Sequence, residues 1–245
     1  MKIRNYFLLA LVITIGFTSC KDDKETGSSK VNLAFTTVFG TEAYDTASYY
    51  HAGEPETHIK FETVNYYISN VRLVDHDGNE TSFDKYFLVK SGQSNNFELG
   101  EVDADHYHYI RFDVGVDSAT NHGTDPATQP SGSALAVQSD KSMFWSWNSG
   151  YIFMRIDGMI DTTDNHPPTF TNSVQYHIGG DASIRPISLD IDLEMDGEND
   201  RTLTLKLDME KVLQGLDLKA TQMVHMPGST AYSIADKWQA AFSAE

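Results

Sequence analysis

Ile187-Ser188-Leu189-Asp190-Ile191-Asp192-Leu193-Glu194-Met195, followed by Asp196-Gly197-Glu198-Asn199-Asp200 and then Leu203-Thr204-Leu205-Lys206-Leu207-Asp208-Met209, is the stretch that decides the fold. Each apolar run alternates with polar residues at period two, so each puts one face on a core and one in water, as strands do. The acidic, Gly- and Asn-containing segment between them is turn chemistry, and the two runs are expected to pair as a hairpin. Residues 71–74, the turn Asp75-His76-Asp77-Gly78-Asn79 and residues 83–89 repeat the design. That turn evokes a calcium loop but lacks its fixed downstream Glu, so a hairpin turn explains it better.

Working outward, further strands are expected at 31–39, 59–68, 107–116, 151–159 and 174–178. Helix is scarce. A short one fits 208–213, with Asp208 as cap and Gly215 as stop, and a terminal one fits 233–242, with Ile234, Trp238 and Phe242 at four-residue spacing. The expected fold is all-β, an antiparallel β-sandwich with long loops and one or two short helices. Residues 117–142 are rich in Ser, Thr, Gly and Pro, and a segment of that length without periodicity is functional or disordered. No repeat and no second composition regime divides the chain, so residues 31–245 are expected to form one domain.

The chain of 245 residues has 18 Lys and Arg against 35 Asp and Glu, a formal charge of −17. Its 40% hydrophobic content, with 12 Tyr and 13 Phe, supports a packed core. The negative charge argues against nucleic acid, whose phosphates need cations to displace their counterions. A single cysteine excludes an intramolecular disulfide framework and any multi-cysteine metal site.

That cysteine follows Lys2 and Arg4, an apolar run from 7 to 17, and Thr18-Ser19. The order is that of a bacterial secretory signal, and the run is too short to span a bilayer of ~20 apolar residues. Residues 1–19 resemble a lipoprotein signal that would leave Cys20 as the lipidated first residue. Residues 20–30 read as a lipidated tether and linker. Within them Lys21-Asp22-Asp23-Lys24-Glu25 resembles the charged tether of surface-directed lipoproteins in Bacteroidetes. The mature chain would be exported and lipid-anchored to the outer membrane, on its periplasmic face or at the cell surface.

The sequence contains no Gly-rich phosphate loop, no His-Glu-x-x-His and no Gly-x-Ser-x-Gly. No catalytic residue is nominated, and the chain is not expected to be an enzyme. The nine histidines are better candidates for chemistry. His106 and His108 lie two apart on a strand, where two imidazoles reach one metal or simply face solvent. His177, in Tyr176-His177-Ile178-Gly179-Gly180, ends a strand where two glycines allow close approach. His122 opens the irregular segment. His225 sits between Met223 and Met226, and thioether with imidazole suits Cu(I), although methionines also serve as core filling. In Met143-Phe144-Trp145-Ser146-Trp147-Asn148-Ser149-Gly150-Tyr151-Ile152-Phe153, residues Trp145, Trp147 and Tyr151 share one parity. They are either aromatic core or a redox-active or metal-adjacent tryptophan site.

Four blocks together resemble the MbnP-like family in order and spacing. They are Val64-Asn65-Tyr66-Tyr67-Ile68-Ser69-Asn70-Val71-Arg72-Leu73, Asp113-Val114-Gly115-Val116-Asp117 with Asn121-His122, the segment from Met143 to Phe153, and Tyr176-His177-Ile178-Gly179-Gly180. The resemblance implies an exported protein of methanobactin-associated copper systems, with a di-haem peroxidase-like protein and a TonB-dependent receptor as partners. It implies Cu(I) as cofactor and His122 and His177 as ligands, and His225 joins them on chemistry. It also implies that Trp147, or else Trp145, is the residue converted to kynurenine or set beside the metal. The alternatives are an aromatic-rich carbohydrate- or polymer-binding surface module and a non-catalytic partner of an outer-membrane receptor.

Overall fold

The computed structural model describes residues 27–146, 149–163 and 166–245, so the export segment, Cys20 and Trp147 lie outside the described residues. The chain runs through β1 (Ser28–Phe39), β2 (Glu42–Ala43), β3 (Tyr50–Ala52), β4 (Thr57–Asp75), β5 (Glu80–Phe83), β6 (Phe87–Lys90), β7 (Asn96–Asp103) and β8 (Asp105–Val114). After helix α1 (Ser118–Gly123) come β9 (Phe144–Ser146), β10 (Gly150–Asp161), β11 (Asn172–Gly179), β12 (Arg185–Met195) and β13 (Arg201–Asp208). Helix α2 (Met209–Leu213), β14 (Met223–Val224), α3 (Ser229–Gln239) and β15 (Phe242–Ala244) complete it.

Among the described residues the strands form two sheets. The smaller has the order β15-β13-β1-β2, with β7 also on β1, and the larger has the order β12-β8-β4-β10-β11-β14, with short strands on β4 and β10. Pairing is antiparallel except at β1–β13 and β11–β14. The inner faces meet in an aromatic core. Phe35 of β1 stands edge-on to Tyr66 of β4 at 6.3 Å, and Phe242 of β15 stands edge-on to Phe112 of β8 at 5.4 Å. Trp238 of α3 closes on Tyr66 at 5.2 Å. Such offset contacts suit the ring quadrupoles. The sandwich expected from the sequence is therefore present, with an α3 lid. No helix among the described residues is long and apolar enough to cross a membrane.

The expected hairpin is not formed. β12 pairs with β8 in the larger sheet, whereas β13 lies between β1 and β15 in the smaller one. The turn at 196–200 carries the chain from one layer to the other. Period two says which face is buried, and two strands looking at each other across a core satisfy it as well as two strands side by side. The second expected hairpin does form, Val71 to Val74 pairing with Phe83 to Glu80, and Asp75 Oδ1 accepts the Asn79 amide at 2.8 Å. Its return run is broken, however, into β5 and β6, both on β4.

Boundaries also move. β1 begins at Ser28, so Ser28 and Ser29, read as linker, are already strand and face Asp103 and Val102 of β7. α3 starts at Ser229 and ends at Gln239, which puts Phe242 in a strand although Ile234, Trp238 and Phe242 are all buried as expected. Asp208 caps α2 as the sequence indicated, its side chain accepting from the Glu210 amide. Residues 117–142 form an ordered cover, held by Lys90 Nζ on the Ser139 carbonyl at 2.6 Å and by Tyr151 Oη on the Leu135 carbonyl at 2.9 Å.

Candidate metal centre

Three adjacent strands bring one row of polar side chains to the outer face of the larger sheet. β11 buries Val174, Tyr176 and Ile178, so Gln175, His177 and Gly179 look outward. Arg155 of β10 is the register partner of His177. On the other side, β14 runs parallel to β11 with Met223 opposite Gln175 and Val224 opposite Tyr176, which carries His225 to the level of His177. Neighbouring strands are about 4.8 Å apart. The two imidazoles accordingly stack, with ring centroids at 4.4 Å and planes 13° apart.

The row continues into β10. His177 Nε2 meets Asp157 Oδ1 at 2.7 Å, and Asp157 Oδ2 receives Arg155 Nε at 2.6 Å. Arg155 also donates to the Ser142 carbonyl at 3.0 Å, which ties the cover to the row. Burial pushes the Asp157 carboxyl upward, but hydrogen bonds from His177 and Arg155, with their charges, outweigh it and leave the group below its ordinary 3.8. Burial, then the neighbouring His177, pushes His225 below its ordinary 6.5, which favours its neutral form. His225 Nε2 is buried and has no hydrogen-bond partner. A groove of about 970 Å³ lies along segment 219–231 beside it, and Met223 and Met226 are 64% and 75% exposed there. These exposures exclude the core-filling role for both methionines.

A model of the MbnP family matches residues 28–227. The chain belongs to the MbnP family. The solved structure of MbnP from Methylosinus trichosporium is similar to it, with a TM-score of 0.54 and 14% identity over 76% of this chain and 78% of that one. At that identity the likeness is one of fold. A comparison with curated protein sequences gives no match.

In this MbnP-family chain Trp145 reaches the row. A Cβ on Gly179 would stand 2.9 Å from Trp145 Cζ3 and 3.0 Å from Cη2, so the indole lies against the bare backbone two residues from His177. Trp147 lies outside the described residues. Tyr151, expected on the same face as the indoles, is instead fully buried, because the β9–β10 register shifts at Gly150. That removes one ring from the exposed aromatic platform a sugar-binding reading needs. Leu193 and Met195 of β12, by contrast, are buried as their periodicity requires.

His122 is not joined to the pair. It is exposed on α1, and its Nε2 meets Asp181 Oδ1 at 3.1 Å. Its neighbour Asn121 is the buried one, accepting the Tyr151 amide at 2.8 Å and donating to Asp181 at 3.3 Å. Hydrogen bonding from Ser118, then from Asn121 and His122, holds the Asp181 carboxyl low against the opposing effect of burial. The Asn121-His122 block thus clips α1 to the end of β11. The sequence reading missed Asp157 and Arg155. Their signal was present: an acid and a base two apart inside a strand whose other residues are almost all buried and apolar.

Among the described residues no three His, Cys, Asp or Glu side chains gather as a metal-holding group. That donor set does not suit a divalent ion wanting four hard or borderline ligands. Two neutral-capable imidazoles, one with an unpartnered buried nitrogen, beside two thioethers and an indole, fit a soft monovalent ion.

Proposed function

We propose that this MbnP-family chain is an exported, lipid-anchored protein that holds Cu(I) through His177 and His225 and turns over no substrate of its own. The observation that carries the reading is the stacked imidazole pair with its unpartnered, buried His225 Nε2. Asp157 accepts from His177 Nε2, which leaves Nδ1 as the ligating nitrogen, the usual arrangement in which a carboxylate fixes a ligand's tautomer. His122 falls outside the donor set. Bound copper would supply a soft, redox-active cation at the mouth of the groove.

The reading includes Trp145 or Trp147 as the residue oxidised to kynurenine by a di-haem peroxidase-like partner, and a TonB-dependent receptor as the further partner. Cys20 would carry the lipid. Supporting observations are the family membership, the export-type sequence and the indole against Gly179.

Titration of the full chain with Cu(I) against a competing chelator tests the ligand set. Tight binding is expected, lost in His177→Ala/His225→Ala and kept in His122→Ala. Equal affinity in the double variant overturns the assignment. Intact mass of protein from its native cells reads tryptophan oxidation and Cys20 lipidation in the same sample.

A further inference from the structure

Where β4, β8 and β12 end together, His106 and His108 have ring centroids 4.4 Å apart, and His76 adds a third ring 5.3 Å from His108. Asp192 Oδ1 meets His106 Nε2 at 2.6 Å. These rings are tilted against one another and, among the described residues, do not gather as a metal-holding group. A different polar feature lies farther back along β4. β5 pairs with β4 as far as Phe83 on Val71, and β6 resumes at Phe87 on Ile68. Residues 84–86 therefore leave the sheet and open a notch over Ser69 and Asn70. On the other edge of β4 the register with β8 shifts between Ser69 and Arg72, and Asn70 takes φ 53°, a left-handed conformation that residues with side chains rarely adopt. The notch is a cavity of about 480 Å³, walled also by Asp117 and Thr120 at the start of α1. Ser69 lines it, is only 2% exposed, and its Oγ has no hydrogen-bond partner.

We propose that this notch binds a neutral, hydroxyl-rich ligand, one pyranose unit of a saccharide, independently of the copper reading. An unpaired buried hydroxyl and a strained residue side by side each cost stability, and such costs collect at ligand sites. The surrounding groups are held ready. Tyr86 Oη gives its proton to Asp117 Oδ2 and accepts from Thr120 Oγ1 at 2.8 Å. Burial, then the bond to Asp117, pushes Tyr86 up to about 12, so that proton stays in place. Asn70 Nδ2 donates to Asp113 Oδ2 at 3.0 Å, which orients the amide and leaves its Oδ1 to accept. Ser69 and Ser82 add hydroxyls that both donate and accept, as sugar hydroxyls do. Phe83 supplies an apolar ring of the kind on which the C–H face of a pyranose packs. Other ligand classes fit the lining less well. Lys85 is its one cation against Asp84 and Asp117, and Lys85 Nζ donates to the Glu98 carbonyl at 3.1 Å, which disfavours an anion. Asp117 already receives Tyr86 and the Thr120 amide at 3.0 Å, so its charge is met without a cationic ligand. The volume falls within the ~300–1,000 Å³ of small-molecule sites.

Saturation-transfer NMR of the full chain with the methyl glycosides of glucose, galactose, mannose and N-acetylglucosamine tests the site, with glycerol as the acyclic control. At least one glycoside is expected to bind in the millimolar range, above glycerol, and to lose about tenfold in affinity in Ser69→Ala/Asn70→Gly. Glycine takes φ 53° at no steric cost, and Ser69→Ala removes a buried group that has no partner. The melting temperature of the double variant is therefore expected to stay level or rise. Side chains serving the fold alone would give the opposite pair of results, a lower melting temperature with unchanged binding. Asn70→Gly alone, at an exposed position, gives the same reading if the pair does not fold. No transfer to any of the glycosides, or transfer no stronger than to glycerol, overturns the proposal. Unchanged affinity in the folded variant also overturns it, the sugar then resting on another surface such as the Trp145 ring.

Discussion

The two histidine groups sit at different levels of the same strand. The His177–His225 row is level with Asn65 of β4, and the His76–His106–His108 group with Asp75, ten residues farther on. Both contain stacked or tilted imidazoles backed by an aspartate, yet their surroundings differ. The side chain of Asp157 is 9% exposed, and that of Asp192 is 93% exposed. In the first group the sheet imposes the geometry, because β10, β11 and β14 hold the partners at fixed register. In the second, the carboxylates that meet His106 stand in solvent, where water can replace either contact. The lesson is that an aspartate–histidine contact is a structural commitment only where burial makes its loss costly.

The largest expected effect follows from that contrast. Asp157→Ala strands the Arg155 charge in a mostly buried site and is expected to cost about 3 kcal/mol in urea unfolding. Gly179→Ala comes next. Its new methyl meets both the Trp145 ring and the Tyr151 carbonyl, and the backbone atom cannot step aside. A loss of about 1–3 kcal/mol with a shifted tryptophan emission is expected, and an unperturbed spectrum would break the placement of Trp145.

A pH series sharpens the comparison further. Because burial and the neighbouring His177 hold His225 below its ordinary 6.5, protonation of this imidazole should erode Cu(I) affinity only at lower pH than an ordinary histidine would. Chelator competition between pH 8 and 5, compared between the wild-type chain and His225→Ala, reads this, and a His225-dependent decline at the pH of an ordinary imidazole would contradict it. The stability supplied by Asp157 is complete above pH 3.8 and is lost as pH drops below that value, so it stays constant across this window. The smallest effect belongs to Asp192→Asn, expected to change unfolding free energy by no more than ~0.5 kcal/mol. A loss comparable to that of Asp157→Ala would erase the distinction between the two groups.

Much of this was legible in the sequence because strand burial is a local signal. The alternations at 187–195 and 203–209 set which side chains are buried, and Asp208 announced the start of α2. Layer assignment was not legible, because Asp196 to Asp200 turns the chain equally well toward a neighbour or across a core. His225 drew attention through its methionine neighbours, but its place beside His177 comes from the β14 register, which no local pattern contains. His122 stands apart from that pair because its block is built around Asn121, whose amide joins three segments far apart in sequence. Asp157 was overlooked because many scattered carboxylates hid the one placed inside an apolar strand.

The start of β1 has an orientational consequence. The Gly27 carbonyl accepts the Ala104 amide at 2.9 Å, and Gly27 is packed so tightly on Gly197 that no side chain fits between them. The chain therefore leaves the sandwich beside His106. With a lipid on Cys20, as proposed, seven residues of leash span at most about 25 Å. The bilayer would then face the His106 end of the sandwich, and ten residues of β4, roughly 30 Å at strand spacing, would hold the imidazole pair and its groove out toward whatever approaches from the aqueous side.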